Sequence, residues 1–352
     1  MINYWQQLPD GKISKLKKEE LDTTKRTWID ARVVTRDDVE LLQSEFNIDP
    51  EHILDILDPD ELSRIEDGDG YVLTITRLPI FDPTAETQYS TIPLGIIIKD
   101  SNIITICWTD CEVLKDFASN RVKGVTLTDF PELVTRILSR ADTIFLRYLK
   151  EINRRSTTIQ NELQLSVKNN ELIQLLNLEK SLVFFTTSLK SNQLLLEKLL
   201  KTKYLSFDEE DKDWLEDVVI DNRQAIEMAD TYSDILTGMV DTFASVISNN
   251  LNIVMKKLTI ISLIMMVPTF IVSFFGMNVP LPFENSGWLG VIFTTFLCGL
   301  ATFIAARLLL KEKSSEPKNK PWVLLREERK KAKLERAEKK KLLKIEKQAM
   351  KQ

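Results

Sequence analysis

The chain is 352 residues long, 43% hydrophobic and 28% charged, with a formal net charge of −5. Its single histidine, His52, excludes His-based metal cages and most nucleophile–His pairs. Its three cysteines, Cys107, Cys111 and Cys298, have no histidine near them in sequence and are expected to be reduced thiols, as in a protein facing the cytoplasm.

Residues 1–18 are polar and mixed, without the apolar run of a secretory signal, so the N-terminal part is expected on the cytoplasmic side. Residues 27–34 and 71–81 are rich in β-formers and predict strands. Residues 93–98 and 103–107 flank Lys99-Asp100-Ser101-Asn102, which reads as a hairpin turn. Between the first two strands, 37–46 and 50–57 predict helices. Asp67-Gly68-Asp69-Gly70 reads as a turn and lacks the remaining ligands of a calcium loop. Residues 1–130 are thus expected to form a cytoplasmic α/β domain.

Asp129, Pro131 and Glu132 mark a helix start, with proline in the first turn and acid near the N-terminus. From 132 to 204 there is no Pro and no Gly, which predicts two long antiparallel helices with a break near 168–170. An acidic break at 205–211 precedes a third helix, expected to run from about Asp211 through Phe275 with weak points only at Gly238 and Pro268. At 1.5 Å per residue it would be roughly 100 Å long, a stalk reaching from 131–250 into a membrane domain at 251–312. Asp208, Glu209, Glu210, Asp211, Asp213, Glu216, Asp217 and Asp221 cluster at its start. Asp213, Asp217 and Asp221 are four apart and share a helix face. Taken alone, they are accounted for by the acid bias of a helix N-terminus.

Residues 258–283 contain no Asp, Glu, Lys or Arg, and neither do 285–306. Each run exceeds the ~20 helical residues that cross a hydrocarbon core. Lys256 and Lys257 precede the first span, Arg307, Lys311 and Lys313 follow the second, and the loop between has no basic residue. The positive-inside rule then places both termini in the cytoplasm, which predicts a plasma (inner) membrane protein in the lipid bilayer. The tail, 313–352, is charged and helix-prone after a Pro- and Lys-containing linker at 314–321. Residues 311–352 carry a net +9, leaving −14 on 1–310. A basic tail suits anionic lipid, and an acidic body suits cations or simple solubility.

The first span has an unusual stripe. Asn252, Met255, Thr259, Ser262, Met266, Thr269 and Ser273 are spaced 3, 4, 3, 4, 3, 4, the seam of helices packed about a common axis. In a lipid-facing helix such a seam should be Leu or Ile. Two accounts stay open on the residues alone: close packing through small residues, or a conduit lined by identical helices. The second would suit a hard divalent cation moving with its water. Mg²⁺ dehydrates reluctantly and prefers oxygen, and no charged ring in the span would hold a bare ion. An Asn278 amide ring could accept hydrogen bonds from the ion's waters, with Thr269, Thr259 and Asn252 repeating the offer. Met255, Leu258 and Met266 would be dry constrictions.

Gly276-Met277-Asn278, placed after the first of two C-terminal spans, makes the chain resemble the CorA family of divalent-cation transporters. The resemblance extends to Leu258-Thr259-Ile260-Ile261, Pro268-Thr269-Phe270-Ile271, Asp217-Val218, Trp28-Ile29-Asp30 and Asp55-Ile56-Leu57-Asp58-Pro59, over most of 25–310. It implies an α+β membrane protein: an N-terminal αβα cytoplasmic domain, a long helical stalk and two C-terminal transmembrane helices, assembled as a homopentamer. It implies a selectivity filter at Asn278, shaped by Gly276 and Met277. The pore would be lined by Asn252, Met255, Leu258, Thr259, Ser262, Met266, Thr269 and Ser273, with Asp241 as an acidic ring at the cytoplasmic mouth. Asp217 would hold a regulatory Mg²⁺ with a neighbouring subunit's acid, from among Asp55, Asp58 and Asp60.

The sequence departs from the family pattern at four places. Phe275 stands where the family usually has Tyr, Pro268 is one place late, Glu284 is the only acid in the loop, and the basic cluster after the second span is thinned to Lys311 and Lys313. Mg²⁺ is the expected cargo and regulatory ligand, with Co²⁺, Ni²⁺ or Zn²⁺ as alternatives. A membrane-anchored scaffold or sensor without flux is the alternative from another class. There is no Gly-rich phosphate loop, triad or metal-ligand spacing, so no enzyme, organic cofactor or nucleic-acid partner is expected.

Overall fold

The computed structural model describes residues 2–165, 169–277 and 287–311. By internal contacts the chain divides into two units, 1–247 and 248–352.

Unit one is built on a seven-stranded sheet. Its strands are β1 (Ile2–Gln7), β2 (Ile13–Leu16), β3 (Thr27–Arg32), β4 (Arg64–Asp67), β5 (Val72–Phe81), β6 (Tyr89–Lys99) and β7 (Asn102–Cys107), in the order β2-β1-β3-β7-β6-β5-β4. Among the described residues, only β3 and β7 pair in parallel. The predicted hairpin closes between Lys99 and Asn102, with Asp100 in the left-handed region at φ 52°. Strand β3 ends two residues before the expected Val34, because Val33 takes φ 50° and leaves the extended conformation.

Helices cover both faces of the sheet. On one, α1 (Arg36–Phe46) and α2 (Pro50–Leu57) bury Leu42, Ile53 and Ile56 against Ile29, Ala31, Leu73, Ile75, Ile97, Ile104 and Ile106. Gly95 on β6 makes this approach possible: a Cβ there would lie 2.3 Å from Ile56 Cδ1. A Thr35–Asp38 capping box starts α1, and Asp49 caps α2 with Pro50 in its first turn. On the other face, α3 (Glu112–Ala118), α4 (Phe130–Leu165) and α5 (Asn169–Leu199) pack over Trp28, Leu78, Ile92, Leu94, Ile96 and Ile103. Odd and even strand positions thus serve opposite cores, as a period-2 pleat requires. The predicted start of α4 is present, with Asp129 Oδ1 accepting from Glu132 N at 3.1 Å.

Four elements differ from the sequence expectations: β1, β2, β4 and α3 form where no element is predicted. The reason is local. Strand β1 is half-buried at nearly every position, β2 and β4 have four residues each, and β4 carries three charged ones. None shows readable alternation.

The last helices are α6 (Glu209–Phe275) and α7 (Trp288–Lys311). Within unit one, α6 buries Leu215, Val218, Asn222, Ala225, Ala229, Leu236 and Phe243. Asp208 caps it, its carboxylate accepting from Asp211 N at 2.7 Å, so the helix begins at Glu209, slightly earlier than expected.

Candidate functional site

Two helical segments in unit two are long and apolar enough to cross a membrane, with mean hydropathy of 2.3 and 2.1 over 18 residues and none of either window buried. The partly shielded residues of the α6 segment are Ile260, Ile264, Val267, Pro268, Ile271 and Phe275, which share one face. On α7 the shielded set includes Gly290, Thr294, Cys298, Ala301, Thr302 and Ala305. The two faces meet where Cys298 Sγ lies 3.9 Å from the Pro268 carbonyl oxygen. Small residues on α7 permit that approach. Pro268 has no N–H, so it also removes a turn-to-turn bond inside α6.

The polar seam lies on a different face. Asn252, Met255, Leu258, Thr259, Ser262, Met266, Thr269 and Ser273 are all exposed. Two hydroxyls reveal their chemistry: Thr259 Oγ1 donates to Met255 O and Thr269 Oγ1 to Met265 O, each at 2.9 Å. With its proton committed to the helix, each oxygen has only lone pairs left for a partner outside. At these two positions the seam therefore offers acceptors to water rather than donors. Asp241, in unit one, is exposed on α6.

At the end of α6, Gly276 N donates to Val272 O at 3.0 Å and Met277 N to Phe274 O at 3.4 Å. A Cβ on Gly276 would meet only Val272 O at 3.4 Å and Ser273 O at 3.5 Å, ordinary contacts. Nothing within one described chain requires glycine there. Asn278 and Glu284 lie outside the described residues, as does the tail beyond Lys311.

The acids of unit one fall into two settings. Asp213, Asp217 and Asp221 are exposed on α6, opposite its buried face. Asp58 and Asp60 are exposed in the loop after α2, while Asp55 is half-buried and accepts from Arg64 Nη2 at 2.7 Å. The loop is held from below by Arg77 on β5, whose Nη1 donates to the Pro59 and Glu61 carbonyls at 2.7 and 2.8 Å. Its other donors reach Ser188 Oγ, Thr91 O and Thr91 Oγ1. This buried guanidinium thus has all five N–H groups bonded to neutral acceptors. Burial lowers its pKa, and Asp60 and Asp58 oppose that. Asn192 of α5 completes the anchor by exchanging two bonds with the Arg77 backbone, each 2.9 Å. Among the described residues, no three His, Cys, Asp or Glu side chains of one chain converge as a metal-holding group.

Sequence reasoning missed Arg64, Arg77 and Asp142. Asp142 on α4 is 2% exposed, and its Oδ2 has no partner among the described residues. Burial first, and the charge of Asp221 second, push its carboxyl well above the ordinary range. The folded state therefore penalises the ionised form. Stability is fullest below the unfolded carboxyl value of about 4 and falls as pH rises toward the folded value. Asp142→Asn is expected to raise the melting temperature at pH 7–8 in EDTA, with the gap over wild type closing near pH 4. Thermal unfolding across that range, read by circular dichroism, checks it.

A family model described as "CorA-like Mg2+ transporter protein" matches residues 24–311. The chain is 29% identical over 285 residues to the cobalt/magnesium transport protein CorA of Methanocaldococcus jannaschii, covering 79% of this chain and 88% of that protein. It is 25% identical over 263 residues to the protein of the same name from Thermotoga maritima, covering 73% and 74%. The complete structure of the CorA magnesium transporter from M. jannaschii superposes with a TM-score of 0.71 at 23% identity, over 90% of this chain and 98% of that one.

Proposed function

The chain belongs to the CorA family, and from that membership we propose that it is a divalent-cation channel. It carries Mg²⁺ inward down the membrane potential through a homopentameric pore. The observation that carries this reading is the exposed, uncharged seam of α6, whose threonine oxygens present acceptors outward. A hydrated Mg²⁺ presents the hydrogens of its waters, so acceptors recognise it without stripping the shell. Asn252, Thr259, Ser262, Thr269 and Ser273 supply such oxygens. Met255, Leu258 and Met266 form the dry gates, and Asp241 concentrates cations at the cytoplasmic mouth. Asn278, with Gly276 and Met277, forms the outer filter. Both termini lie in the cytoplasm, and the protein resides in the plasma (inner) membrane.

Asp217 is the regulatory acid. Exposed carboxylates without His or Cys fit a hard dication that keeps several waters. Membership in the CorA family supports a second ligand from a neighbouring subunit, from among its Asp55, Asp58 and Asp60.

Uptake by liposomes holding purified protein and a Mg²⁺-sensitive dye tests the conduction reading. Flux driven by an inside-negative potential is expected. If Mg²⁺ fails while Co²⁺, Ni²⁺ or Zn²⁺ passes, the cargo assignment is wrong and the channel reading survives. The M. jannaschii and T. maritima relatives are cobalt/magnesium transport proteins by name, which favours Co²⁺ as the first alternative. A folded oligomer that passes none of the four is a scaffold or sensor.

A further inference from the structure

Arg64 opens β4 and sits among three carboxylates from three elements. Its Nη2 lies 2.7 Å from Asp55 Oδ2 of α2 and its Nε 3.0 Å from Glu66 Oε1 of β4. Its Nη1 contacts Glu61 of the intervening loop. One guanidinium is therefore shared by three acids, with Asp58 and Asp60 exposed in the same loop. Asp55 is the most releasable of the three. Its side chain is 44% exposed, against 42% for Glu66 and 20% for Glu61, and Glu66 shares the strand of Arg64 whereas Asp55 does not. If Asp55 turned away, Glu61 and Glu66 would still pair Arg64, so no buried charge would be orphaned. His52 Nε2 also lies near Glu66, 3.6 Å from its Oε2.

We infer that Arg64 is a tethered cation that competes with divalent metal for Asp55 and so sets the Mg²⁺ concentration at which the regulatory contact forms. The inference rests on the proposed role of Asp217 and commits its partner to Asp55. At low Mg²⁺, Arg64 occupies the Asp55 carboxylate and makes the potential there less negative. Metal must then displace the guanidinium or share the carboxylate with a like charge a few ångströms away. Loss of Arg64 should therefore tighten Mg²⁺ binding. A purely structural role predicts the opposite sign, because a loosened loop binds less well.

The measurement is the Mg²⁺ concentration that half-protects full-length protein from limited proteolysis. Arg64→Gln is expected to lower it by roughly threefold, the scale of a half-exposed ion pair. Arg64→Lys keeps the charge without a fork that spans three acids. It should shift the same way by less, and it is the variant to read if Arg64→Gln does not fold. In an Asp55→Asn background the Arg64 effect should vanish, as a coupled pair requires. An unchanged or higher half-protecting concentration in both Arg64 variants, with protection still lost in Asp217→Ala, overturns the competition. Retained Mg²⁺ protection in Asp217→Ala instead overturns the regulatory reading on which it rests.

Discussion

Asn278→Ala is expected to abolish Mg²⁺ uptake into liposomes while the oligomer and helix content stay as in wild type. The expectation follows from what the span lacks. Between 258 and 283 there is no formal charge, so ion recognition falls on neutral oxygens. Thr259 and Thr269 are already spent as donors on their own helix and offer one acceptor oxygen each. Asn278, in the signature tripeptide, adds a neutral side-chain amide whose carbonyl oxygen is an acceptor. Repeated around the proposed pentamer, each lost bond removes about 0.5–1.5 kcal/mol, so the ring as a whole accounts for at least about 70-fold in rate. Asn278→Asp is the informative companion. A ring of charges should hold the ion more tightly and slow its exit, changing selectivity rather than simply restoring flux. Uptake in Asn278→Ala within about threefold of wild type would move the filter elsewhere along the seam.

The seam is legible in the sequence because a helix face is a property of spacing. Residues three and four apart align whatever surrounds them, and the fold adds where the threonine protons go. Strands β3, β5, β6 and β7 are legible for a similar reason: they are rich in β-branched residues and bounded by turn chemistry. Strand β4 is not, since Arg64, Glu66 and Asp67 give it the composition of a loop, and only pairing with Val72, Leu73 and Ile75 makes it a strand. Arg77 and Asn192 are 115 residues apart and Ser63 and Asn192 129 apart. No local pattern announces such partners. Asp142 is hidden differently: in sequence it is one more acid on an amphipathic helix, and only its burial marks it. Acids are therefore easy to count and hard to rank. The ranking depends on which are paired, as Asp55 is with Arg64, and which are exposed, as Asp217 is.

Asp217→Ala is expected to leave Mg²⁺ conduction intact and to remove its inhibition by Mg²⁺ on the cytoplasmic side. Exposed Asp213, Asp217 and Asp221 give each α6 a line of negative charge that neighbouring copies of the chain would feel as repulsion. A dication shared between Asp217 and the acid of the next subunit converts that repulsion into attraction. It does so only in the arrangement that brings the two together. Such an ion shifts the equilibrium by its differential affinity alone: a tenfold preference corresponds to about 1.4 kcal/mol per contact. In the proposed pentamer, five such contacts would make even that modest preference decisive and the response to Mg²⁺ steep. Without Asp217 the closed arrangement keeps its repulsion from Asp213 and Asp221 and loses its bridge. Half-inhibition by internal Mg²⁺ should then rise by at least about tenfold. Asp217→Asn separates charge from packing. It restores side-chain volume but not the anionic ligand, so it should behave like Asp217→Ala. If Asp217→Asn instead closes normally with Mg²⁺, the charge at 217 is not the sensor. The buried carboxylate of Asp142 would then be the next residue to substitute.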